Sequence, residues 1–168
     1  MNVIASFIKT LRLLLLGMWL GAAMLFGAAV APALFGVLRG AGLVNANELA
    51  GSIVTRLLAF INKGGFEVAL FLFVTAFFID RQRQAIARAA EMISIAIMAI
   101  MTGISNWIIS AHMLELRRSM GAPIDQVSPA DPRRVSFDSL HRYSVIVMGV
   151  AIVAALVAFL IASWRRDN

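Results

Sequence analysis

Cysteine is missing altogether, proline occurs only four times, and charged residues make up 14% of the 168 positions. Without a thiol there is no disulfide, no zinc finger, no iron–sulfur cluster and no covalently attached c-type haem. Three of the four prolines (Pro123, Pro129 and Pro132) share one polar stretch. Long apolar runs are therefore free to be helical everywhere except at Pro32, where a backbone donor is lost. The shortage of charge excludes most: with 61% apolar residues, a soluble domain lacks enough polar surface to cover itself. Acidic residues are the scarcer sign, nine against fifteen Lys and Arg. The basic ones sit in breaks between apolar runs, as flanks suited to anionic lipid headgroups. No basic stripe is interleaved with aromatics, so nucleic acid is not an expected partner.

What is present is four long apolar runs, Leu13–Leu38, Leu57–Ile79, Met92–Leu114 and Ser144–Trp164. Each is long enough to cross a hydrocarbon core of ~30 Å at ~1.5 Å per helical residue. The expected fold is all-α, an integral membrane bundle of four transmembrane helices forming a single domain over residues 1–168. Lys9, Arg12 and the later Ala29-Val30-Ala31 imitate a secretory signal. The apolar stretch outlasts a signal core of ~7–15 residues, so it reads as an uncleaved first span.

Within the first run, Gly17 and Gly21 lie four apart, as do Ala28 and Pro32, with Gly36 beyond. Small residues at this spacing let another helix approach closely, and Pro32 predicts a kink. The second run is interrupted by Lys63, Gly64, Gly65 and Glu67. Either one helix starting by Leu57 carries these residues inside, which is the preferred reading, or residues 49–63 lie along the interface and bend inward at the glycines. Asp131-Pro132 reads as a helix start that carries Phe137, Leu140 and His141 into the fourth run.

Four spans put both termini on the side of the Asp80–Arg88 break. That side has seven basic residues (Lys9, Arg12, Arg81, Arg83, Arg88, Arg165, Arg166), and the other side also has seven. The first group occupies shorter flanks, which the positive-inside rule weights most. The chain is therefore expected in a bacterial inner membrane with cytoplasmic termini.

Helix reversal then gathers Lys63, Glu67, Asn106, His112 and His141 in or near one leaflet, whichever way the protein faces. Lys63 and Glu67 are four apart and can pair on one helix face. A lone charge at mid-bilayer costs ~2.5–3.5 kcal/mol, so it needs a partner or water. His141 and His112 are the two histidines. Neutral imidazole ligates haem iron, chlorophyll magnesium or copper, and Met113, Met120 and Met148 are near in sequence. Asn106 is a candidate for a helix–helix hydrogen bond. No phosphate loop, dinucleotide fingerprint, zinc-protease helix or nucleophile elbow is present, so no catalytic residue is assigned and enzymatic activity stays open without a motif to support it.

Met18-Trp19-Leu20-Gly21, running to Ala31-Pro32-Ala33-Leu34-Phe35, resembles the first-span signature of a family of small four-span membrane proteins of unknown function. Phe137-Asp138-Ser139-Leu140-His141-Arg142-Tyr143-Ser144 resembles that family's F-x-x-L-H-x-x-S entry to its fourth span. The family includes the transmembrane protein 205 type. A more distant likeness extends to copper-resistance D type proteins and a haem-biosynthetic membrane oxidase. The resemblance implies a four-helix membrane protein without an established reaction. Its positions here are Trp19, Gly21, Pro32, Phe35, Phe137, His141 and Ser144; Lys63 and Glu67 are not among them.

Three functions stay open. The first is a non-enzymatic structural or accessory component that packs against itself, as a homo-oligomer, or against a larger membrane complex. The second is a haem, chlorophyll or copper binder assisting electron transfer through His141 and His112. The third is a small transporter or export-linked protein using Glu67 and Lys63.

Overall fold

A computed structural model describes residues 3–79 and 85–164, and every regular element among them is helical. Helix α1 (Val3–Leu25) continues through a π turn (Phe26–Val30) into α2 (Ala31–Gly40). Helix α3 spans Ala46–Ile79. Helix α4 (Ala85–Gly103) continues through a second π turn (Ile104–Ile109) into α5 (Ser110–Met120). A short 3-10 turn (Ile124–Gln126) precedes α6 (Pro132–Ser163). Four of the resulting segments, Val3–Gly40, Ala46–Ala76, Ala85–Met120 and Pro132–Ser163, are long and apolar enough to cross a bilayer. The protein is an all-α integral membrane bundle.

Each helix outruns its apolar run, because helical hydrogen bonding does not stop where hydrophobic side chains do. Helix α3 begins at Ala46 and passes unbroken through Lys63, Gly64, Gly65 and Glu67. There is no interfacial bend at the glycines. Helix α6 starts where expected: the Asp131 side chain accepts from the Arg133 N–H at 2.8 Å, and Pro132 takes the first helical position. Helix α5 ends on Gly121, whose φ of 68° is the left-handed conformation that closes helices. Arg81, Arg83, Arg165 and Arg166, which enter the orientation argument, lie outside the described residues.

The helices form a ring in which α1 touches α3 and α6, α3 touches α4, and α4 touches α6. Its core joins Leu16, Trp19 and Leu20 of α1 to Leu72 of α3, Ile95 and Met98 of α4, and an alanine face on α6. That face (Ala151, Ala154, Ala155, Ala158) is buried and lets α6 lie close to α4. On α1 only Gly17 meets a neighbour within the chain: a Cβ there would stand 3.4 Å from the Phe159 ring. Gly21, Ala28, Pro32 and Gly36 are exposed, and Gly21 and Gly36 have open space beyond them. A closer approach occurs elsewhere. The Trp19 indole lies flush on Gly65, where a Cβ would come within 2.6 Å of its Cε2, and it donates to the Ile61 carbonyl at 2.8 Å.

The first segment widens into a π turn ahead of Pro32. The proline has no N–H, and its ring crowds the carbonyl four residues back. The preceding turn widens, and the Ala31 N–H reaches the Phe26 carbonyl, five residues back. Past this π turn, α2 packs against α3, and a groove opens between α2 and α6.

Candidate functional site

The end of the bundle away from the termini is closed by a polar cap. Helix α3 begins there with free N–H groups, and these are satisfied from a distant break. One Asp125 oxygen accepts from the Asn47 N–H (3.3 Å) and Asn47 Nδ2 (2.6 Å); the other accepts from the Glu48 N–H (3.0 Å). Glu48 returns the contact by accepting from the Ile124 N–H at 3.1 Å. This reciprocal arrangement is a helix cap assembled across the chain, with negative charge at the positive end of the helix dipole. Burial alone raises the Asp125 carboxyl pKa, but the bonds from Glu48 and Asn47 outweigh it and hold the group below its ordinary 3.8.

Three arginines brace the cap. Arg117 Nε stands 3.5 Å from Glu48, its Nη1 donates to Ser52 (3.3 Å), and the guanidinium lies 5.4 Å over the Phe137 ring. Gly51 makes room for it, since a Cβ there would come within 2.6 Å of Arg117 Nη2. Arg134 Nη1 donates to the carbonyls of Ile124 and Val127, which ties α6 to the 3-10 turn. Arg39 Nε donates to Asn47 Oδ1 at 2.7 Å, and the guanidinium stacks 5.3 Å over Phe35.

These arginines also line a groove of about 560 Å³, together with Pro32 and Phe35 of α2, Asp138 and His141 of α6. It continues down the bundle as an apolar slot walled by Phe26, Ala31, Leu58, Met148 and Ile152. His141, Val54, Pro32 and Phe35 belong to both parts. A smaller chamber behind His141 is lined by Thr55, Ser110, Met113 and Ser144.

Of the five polar residues that the sequence gathers into one leaflet, only His141 lines this groove. His112 is exposed and its Nδ1 contacts the Ile108 carbonyl of its own helix at 3.0 Å. Asn106 is half-buried within the second π turn. Lys63 and Glu67 are exposed on the outer face of α3, and no hydrogen bond or ion pair joins them. Among the described residues no three His, Cys, Asp or Glu side chains converge as a metal site.

Sequence reasoning missed the polar groups that the bundle does bury. Asn62 Nδ2 donates to Ser105 Oγ at 2.8 Å, both residues being inaccessible, and Asn62 Oδ1 has no partner. Beside them the Ser110 hydroxyl donates to the Ser105 carbonyl at 2.8 Å, across the wide turn. Nearer the termini, Arg12 and Glu91 form a buried ion pair at 2.8 Å, linking the first and third segments. Helical phase was the signal that would have found Asn62: it precedes Lys63 by one residue and so faces a different side.

No curated protein matches the chain, and no solved structure does. One protein-family model does match, over residues 14–122, which takes in most of the first segment, the second and third segments, and both π turns. The chain accordingly belongs to the family described as the Domain of unknown function (DUF4149).

Proposed function

We propose that the protein is a non-enzymatic component of the membrane that works assembled, with a second copy of itself or within a larger membrane complex. One observation carries this reading. Lys63 and Glu67 stand near the midpoint of the 34-residue α3, on its outer face, without a partner among the described residues. A charge facing lipid at mid-bilayer costs ~2.5–3.5 kcal/mol, and a lysine stem is too short to carry it from the centre to the headgroups. A second copy related by a two-fold axis along the membrane normal removes that cost. In such an interface the contacts are reciprocal, and Lys63 of each copy meets Glu67 of the other. The rest of the face suits burial, with Phe60 at 78% exposure and Leu70 at 47%. Gly21 on α1 and Ala28 in the first π turn offer a further close-packing surface. An assembly also supplies the additional helices that an export role for the pair would need.

The test is mass in a gentle detergent, for wild type and charge variants. Lys63→Glu and Glu67→Lys each place like charges together and should dissociate the assembly; the double swap should restore it. A particle of one 18.2 kDa chain at all concentrations, with nothing co-purifying, rules the reading out.

A second reading is supported by His141, which shares the groove with Met148 and the chamber with Met113. Imidazole and thioether together suit Cu(I). Copper analysis of wild type against His141→Ala tests it, and equal content in the two defeats it. The kinship with the transmembrane protein 205 type, a single-domain organisation, and a bacterial inner membrane with cytoplasmic termini belong to the same proposal, on the motifs and flanking charges of the sequence.

A further inference from the structure

The groove between α2 and α6 has the anatomy of an amphiphile site. Its outer part carries Arg39, Arg117 and Arg134 against a single lining carboxylate, Asp138. Arg117 is offset by Glu48, so Arg39 and Arg134 hold the excess charge. Both keep nitrogens without protein acceptors. Arg39 uses only Nε, toward Asn47, and Arg134 uses only Nη1, while its Nε is buried without a partner. Guanidinium groups presenting spare N–H pairs suit a phosphate better than any neutral group.

The inner part is a chain-shaped slot. From His141 to Ile152 it follows α6 for about 16 Å, close to half of a hydrocarbon core. Its floor is apolar, and Gly27, in the first π turn, leaves open space rather than a side chain. The slot opens sideways, where Val145 is 60% exposed. A lipid from the surrounding leaflet supplies both halves at once.

We propose that this groove holds one anionic phospholipid, with its phosphate against Arg39, Arg117 and Arg134 and one acyl chain along α6 from His141 to Ile152. The inference is independent of the Lys63–Glu67 assembly, which uses the outer face of α3.

The experiment is native mass spectrometry of the full-length protein, delipidated and then titrated with phosphatidylglycerol, phosphatidylcholine or inorganic phosphate. Phosphatidylglycerol should be retained at least fivefold more strongly than phosphatidylcholine, and inorganic phosphate should not compete at equal concentration. Arg39→Gln, on an exposed side chain held by one hydrogen bond, should lower phosphatidylglycerol retention about fivefold, the effect of one surface cation on an anionic lipid. Asp138→Asn should raise retention by a similar factor. Val145→Trp should fill the slot and abolish retention, whereas Leu156→Trp, on the same helix outside the groove, should leave it unchanged. Equal retention of the two lipids, insensitivity to both Arg39→Gln and Val145→Trp, or equal competition by inorganic phosphate overturns the proposal.

Discussion

Adding one methyl group at Gly65 tests the central packing. The new Cβ would lie 2.6 Å from Trp19 Cε2 and 2.9 Å from Cζ2. The indole is a rigid plate, 6% exposed, and its Nε1 is fixed on the Ile61 carbonyl, so it cannot yield without leaving its bond. Overpacking of this kind costs about 1–3 kcal/mol, and the hydrogen bond adds about 1 kcal/mol. Replacing glycine by alanine in a helix interior returns about 0.5–1 kcal/mol. The net loss is about 1–3 kcal/mol, which for a chain of this size lowers the melting temperature by about 2–10 °C. Thermal unfolding in mild detergent measures it. Trp107 and Trp164 are 52% and 90% exposed, so in a background with both changed to Phe, Trp19 emission reports the displacement directly. Pairing Gly65→Ala with Trp19→Phe, which removes the colliding edge, should recover most of the loss relative to Trp19→Phe alone. If Gly65→Ala melts with wild type and leaves the Trp19 emission unmoved, the indole does not sit on Gly65.

Other outcomes follow from the same geometry. Glu91→Leu removes the carboxylate to which buried Arg12 donates at 2.8 Å and should destabilise by up to about 3–5 kcal/mol; the double change with Arg12→Met should recover much of that in the same melting assay. Asp125 has a lowered pKa, so its stabilisation of the α3 start is complete above 3.8 and fades as pH falls through the lower folded value. Hydrogen exchange at the Asn47 and Glu48 amides should therefore stay slow at pH 5 and accelerate in strong acid, while Asp125→Ala should make it fast at both. The Asp131 cap on α6, lowered to about 2 by Arg133, should outlast the Asp125 cap on acidification, read as later loss of protection at the Arg133 amide. Gly51→Leu should push Arg117 off α3 and loosen the cap, seen as faster exchange at Ile124, whose N–H is held by Glu48.

The membrane fold was legible because hydropathy and length are properties of single segments. So was the start of α6, where Asp131 and Pro132 act on neighbours two residues away. The limits of α3 were less so, because its first turns are polar and are capped by Asp125, which is distant in sequence. The candidate site was legible only in part. Reversal of the helices places His141 near its layer, but the groove is walled by a wide turn at Phe26–Val30, and nothing in the hydrophobic pattern marks that turn apart from Pro32. Gly65 looked like an interruption of a span, and its use became visible only with Trp19 seated on it. Lys63 and Glu67 drew notice as charges, yet which way they face depends on the packing of the whole ring.

The first π turn sets the phase of everything after it. One surplus residue within Phe26–Val30 rotates the following helix by about 100° relative to an unbroken one. Tightening this turn to a regular spiral with every residue kept would carry Phe35 and Arg39 round to another side and erase the groove, whereas deleting Ala28 would remove the surplus and leave them facing as they do. The wide turn thus acts as an angular spacer, taking up one residue so that the upper half of the first segment keeps its facing without disturbing the core.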